Sequence, residues 1–196
     1  MKAILFLAAL VAFNMSSITH ASLQVGSVVK FDTDLPGTYG GRFGITDGGS
    51  IPAKAVSPFE TFCVEIGEFV ADNGVYRVAG ISTVTVTGNK SLTNYAAWLY
   101  TQFRNGSLQG FDGSTNDSNA LQWAFWNQMT YGNTAIDNAL PGSPAVGYEN
   151  LYNAESWLGD YNSDSGWDKS PTYFGSVRIT NLESGPLNNP TRHQDQ

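Results

Sequence analysis

The hydrophobic period of this chain changes twice, and that change constrains the fold more than any other feature. From Leu23 to about Thr87, apolar residues tend to recur at every second position, between clusters of Gly, Pro, Asn and Asp. This is the pattern of strands with one buried face. From Ser91 the spacing becomes helical, with Leu92, Tyr95, Ala96, Leu99 and Phe103 on one stripe. Over 171–182 it returns to strand. Strands, then helices, then a strand, with no repeat and no linker, predict a single α+β domain over 22–196. The expected architecture is an antiparallel β-sandwich or barrel-like sheet with an inserted helical subdomain of about three helices, over about 91–159.

The individual elements follow from local chemistry. A strand is expected over 23–34 with a bulge at Gly26-Ser27, and a short one over 42–46. The clearest strand signal is 59–70, with Phe62, Val64 and Ile66 on one face and Thr61, Cys63, Glu65 and Phe69 on the other. The β-branched stretch 75–87 is expected to kink at Gly80. Helices are expected over 91–105, from a cap at Asp117 or Ser118 to about Met129, and over 149–158. The second helix is apolar almost all round from Ala120 to Trp126, which predicts its burial.

The first 21 residues have the layout of a secretory leader. Lys2 precedes an apolar run over 3–13, and Thr19-His20-Ala21 offers a small-residue cleavage site. That run is too short to span a bilayer. The expectation is export, to the extracellular space or the cell surface, with no membrane span in the mature chain. A formal charge of −7 argues against nucleic acid as a partner. One cysteine, Cys63, rules out a disulfide framework within the chain and any cysteine-rich zinc site. The two histidines, His20 and His193, lie in the leader and near the end of the chain, so a histidine-based triad has no material. No cofactor is implied.

What remains is a pair. An exported chain with an odd cysteine needs an account, and so does a glutamine, Gln122, in the centre of an apolar helix, because its amide must find hydrogen-bond partners. A cysteine thiolate can attack a glutamine carboxamide and expel ammonia, leaving an internal thioester, if a shielded site holds the two groups together. The other reading is a packing pair, a buried thiol beside a hydrogen-bonded core amide.

Phe62-Cys63-Val64-Glu65, followed about sixty residues later by Leu121-Gln122-Trp123-Ala124-Phe125-Trp126, resembles the motif pair of bacterial thioester domains. It is most similar to the version in secreted Gram-negative proteins of the PEP-CTERM class. Leu121 stands where the Gram-positive adhesins usually have Thr, and Phe125 where they have an aliphatic residue. The resemblance runs from about Phe59 to the end of the chain. It implies a Cys63–Gln122 cross-link, with Glu65, Phe125 and Trp126 in support. The implied role is adhesion or extracellular-matrix association in a biofilm-like setting, by single-turnover capture of surface amines and without enzymatic turnover. The alternative is a non-covalent structural or glycan-associated matrix protein. Relatives in this class often continue past a segment like His193-Gln194-Asp195-Gln196 into a sorting tail, and the expectation is a chain either clipped there or a tailless member.

Other constellations are weaker. Asp160, Asn162 and Asp164 alternate as at the start of a calcium loop, but Ser165 occupies the glycine position and Pro171 the place of the bidentate Glu. The expectation there is a solvated acidic loop and no metal. Glu60, Glu65 and Glu68 supply carboxylates for a hydrolase without forming a defined acid/base pair. Of Trp98, Trp123, Trp126, Trp157 and Trp167, four lie in helical patterns, which favours core packing over a sugar platform.

Overall fold

A computed structural model describes residues 23–36, 42–50, 56, 58–66, 70–86, 88–129, 156–184 and 191–193. The expected leader, Glu68 and Phe69, the chain break after the second helix and most of the expected helix at 149–158 lie outside the described residues.

Six strands form one antiparallel sheet: β1 (Val28–Asp32), β2 (Phe43–Asp47), β3 (Phe59–Thr61), β4 (Val75–Ser82), β5 (Ile179–Ser184) and β6 (Thr191–His193), in the order β3-β2-β1-β4-β5-β6. Among the described residues, three helices, α1 (Asn94–Arg104), α2 (Thr115–Gln128) and α3 (Trp157–Ser163), fall between the neighbouring strands β4 and β5. The mixed α+β class is therefore as expected. The described strands make a single open sheet with β3 and β6 at its edges, rather than a sandwich or a closed barrel.

Register places one apolar set on the helix-bearing face. Phe31 lies opposite Ile45, Val29 opposite Tyr76, Val78 opposite Leu182 and Phe43 opposite Thr61, and all are buried. Phe31 meets both Phe43 and Tyr76 edge-on, at centroid distances of 5.8 and 5.5 Å, a preferred geometry for aromatic pairs. The other face carries Lys30, Thr46, Arg77 and Glu183, and Arg77 pairs with Glu183 directly across the strands. The expected kink at Gly80 is a register shift between Val78 and Gly80.

Helix boundaries depend on single side chains. Thr93 caps α1 by accepting the Ala96 N–H at 3.1 Å. Ser114, not Asp117 or Ser118, caps α2: its Oγ accepts the Asp117 N–H at 3.2 Å, so the helix starts a turn earlier than expected. Residues 117–126 of α2 are buried without a break, as the all-round apolar pattern predicted. The expected strand at 171–182 begins only at Ile179. Before it the chain turns, because Asn94 Nδ2 donates to the carbonyls of Asp168, Ser170 and Tyr173 and folds that stretch onto α1. No described helix is long and apolar enough to cross a membrane.

Candidate functional site: Cys63 and Gln122

The segment after β3 departs from the expected strand. β3 ends at Thr61, and Phe62, Cys63, Val64 and Glu65 are all buried in succession. Alternation requires water on one side of a strand. Here both sides are covered, so the expected two-face division does not hold. Leaving the ladder also leaves the Cys63 N–H and C=O in need of partners, since buried backbone groups are almost always paired.

Gln122 supplies both. The Cys63 N–H donates to Gln122 Oε1 at 3.1 Å, and Gln122 Nε2 donates to the Cys63 carbonyl at 2.7 Å. The primary amide thus stands in for a missing neighbour strand, and the two residues are 59 positions apart in sequence. Both are 0 % exposed. The requirement of a core glutamine and the requirement of an off-sheet backbone satisfy each other.

The expected supporting residues are close, in somewhat different roles. The Phe125 ring lies 5.1 Å from that of Phe62, and Trp126 is fully enclosed, so aromatic groups keep water from the pair. The Cys63 thiol points at the main-chain oxygen of Glu65, with Sγ to O at 3.8 Å. The Glu65 carboxylate is buried, and its Oε1 accepts the Gly88 N–H. Glu65 therefore meets the thiol through its backbone.

The Gln122 carboxamide is polarised by the Cys63 N–H. Oε1 of Gln122 is the atom that gains negative charge when a nucleophile adds to the carboxamide carbon, and it already accepts an N–H. A pre-aimed donor of this kind is how acyl-transfer sites stabilise a tetrahedral intermediate.

The remaining candidates do not converge. Asp160 and Asn162 lie on helix α3 rather than in a loop, and two positions along a helix face opposite ways. Asp164 has both oxygens engaged, Oδ2 by the Trp98 indole N–H at 2.8 Å and Oδ1 by the Gly166 N–H at 2.8 Å. Glu60 forms a two-point ion pair with Arg42. Trp98, Trp123, Trp126 and Trp157 are core residues. Among the described residues one carboxylate cluster stands out, Asp32, Asp34 and Asp72, and all three are exposed.

Sequence reasoning missed Asn94. Besides the three carbonyls, its Oδ1 accepts from Tyr161 Oη at 2.8 Å and from Trp167 Nε1 at 2.9 Å. An asparagine just inside a helix start gives no local sign of such a role. Comparison with protein-family profiles, curated proteins and solved structures returns no match.

Proposed function

We propose that this chain is a secreted or surface-associated adhesion or matrix protein that attaches covalently to amines through a Cys63–Gln122 thioester. The observation that carries this reading is the reciprocal hydrogen bonding of the Gln122 carboxamide to Cys63 in a fully buried setting. The leader-like first 21 residues support export.

In the forming step, Cys63 Sγ bonds to the Gln122 side-chain carbonyl carbon and the C–Nε2 bond breaks. The thiol proton leaves with the nitrogen as ammonia. In the capture step, a primary amine adds to the same carbon, its nitrogen loses a proton, and Cys63 regains its thiol. Ammonia loss removes the donor to the Cys63 carbonyl, at a cost of about 1–3 kcal/mol for a buried acceptor left without one.

The same two bonds also favour a second reading, in which the intact amide is a clamp between α2 and the post-β3 segment and the attachment is non-covalent. Intact mass separates the two. Under the covalent reading, freshly purified protein is lighter than its Cys63→Ala variant predicts by one ammonia, after allowing for the substitution. It resists alkylation while folded, and methylamine adds at Gln122 with release of the thiol. A full sequence mass with no methylamine adduct overturns the covalent reading and leaves the clamp.

A further inference from the structure

The sheet and the helices do not meet everywhere. A cleft of about 400 Å³ lies between them. Its walls are apolar: Val29, Phe31 and Ile45 from the sheet, Ala96 from α1, Phe125 from α2 and Met129 at that helix's C-terminal cap. Protein interiors are packed like organic crystals, and unfilled apolar space forfeits contacts on every wall. A space of this size falls within the roughly 300–1,000 Å³ of small-molecule sites, which are mostly apolar with a few placed polar groups.

The charged groups on this lining are cationic. Arg104 and Arg178 both border the cleft, and neither contacts a carboxylate among the described residues. The Arg104 guanidinium lies over the Phe59 ring at 5.1 Å, and only its Nη1 forms hydrogen bonds, to the Glu60 carbonyl and Tyr100 Oη, both at 3.3 Å. Arg178 likewise uses only Nη1, on the carbonyls of Gly175 and Val177. Among the described residues neither guanidinium has a hydrogen-bond partner at Nε or Nη2, in a chain whose overall charge is −7. Thr101 and Asn105 add polar atoms beside Arg104. An apolar trough bordered by uncompensated guanidinium groups complements an apolar body with an anionic head, and guanidinium suits a planar carboxylate best.

We propose that this cleft binds a single-chain carboxylate amphiphile, a medium-chain fatty-acid anion, with the tail between sheet and helices and the carboxylate on Arg104. Neither Cys63 nor Gln122 lines the cleft, although their neighbours Phe62, Val64 and Phe125 do, and binding involves no covalent step.

The test is titration calorimetry of the full chain with dodecanoate and dodecyltrimethylammonium below their micellar concentrations and dodecanol below its solubility limit. Dodecanoate is expected to bind at one site, at least about tenfold tighter than either of the others, as a charge-assisted contact implies. Arg104→Gln is expected to remove most of that preference while dodecanol affinity stays the same. Ala96→Leu, which fills the trough, is expected to weaken dodecanoate and dodecanol alike, with circular dichroism confirming the fold. Equal affinity for all three amphiphiles overturns the proposal in favour of unspecific partitioning. So does the absence of saturable dodecanoate binding, or an Arg104→Gln variant with unchanged preference.

Discussion

The side chain of Gln122 is hydrogen-bonded on both sides by the backbone of Cys63, N–H to Oε1 at 3.1 Å and Nε2 to carbonyl at 2.7 Å. A glutamine in the middle of a helix thereby acts as a strand neighbour for a segment that has left its sheet. Because the pairing uses the Cys63 backbone, the two residues are not equivalent under mutation.

Gln122→Ala leaves a buried donor and a buried acceptor unsatisfied and should cost about 2–4 kcal/mol. Relative to the uncross-linked amide form, Cys63→Ala keeps the clamp and removes only a small buried group, so its cost should be about 1 kcal/mol. Urea unfolding of both variants measures the difference. Equal losses would show that the backbone pairing contributes nothing beyond side-chain volume.

Asn94→Ala should release the stretch before β5 from α1. It removes the donor to three carbonyls and the acceptor of Tyr161 and Trp167. The expected loss is about 2–3 kcal/mol, with new proteolytic cleavage between 164 and 178. A variant as protease-resistant as wild type would contradict this role.

Asp164 should make the α1–α3 contact sensitive to acid. The Trp98 indole N–H, and next the Gly166 N–H, hold its carboxyl below the ordinary carboxylate range. A folded-state value below the unfolded one gives stability that is present above about pH 4 and lost as pH falls through the folded value. Other carboxylates with lowered values, Asp47 and Asp72 among them, act in the same direction. The measurement is therefore the difference between wild-type and Asp164→Asn acid-unfolding curves, followed by tryptophan fluorescence. That difference should shrink below about pH 4, and superimposable curves at all pH values would rule the contact out as a contributor.

Tyr100 should titrate late. Burial raises its pKa, opposed by the neighbouring Arg104 guanidinium, and its hydroxyl donates to the Glu60 carbonyl at 2.8 Å. Here the folded value lies above the unfolded one, so the stabilisation is complete below about pH 10 and fades as pH rises through the folded value. Ultraviolet titration should show one fewer late-ionising tyrosine in Tyr100→Phe. An unchanged count would assign the late titration elsewhere.

The α+β class, the position of α1 and α2, the all-round burial of α2 and the kink at Gly80 were legible from the residues. The pairing of Cys63 with Gln122 was legible too, because each was conspicuous in its own surroundings: one lone thiol, one amide among apolar neighbours. The form of that pairing, backbone to side-chain amide, was not, since it depends on β3 ending at Thr61. The alternation of Phe62, Val64 and Ile66 read as strand because period alone cannot register that a neighbouring strand has run out.

By itself, the sequence determined what adjacent residues decide: hydrophobic period, turn chemistry, and which side chains had to be buried. Only the tertiary structure decided where buried polar groups found partners. It left the sheet open, moved the α2 cap to Ser114, made Asn94 the anchor of the chain before β5, and put the Gln122 amide on the Cys63 backbone. Period is set by neighbours within a turn or two, whereas these outcomes turn on pairing and packing in the assembled chain, and the longest of these contacts join groups 59 to 79 residues apart. Such contacts form only when the whole chain closes around them.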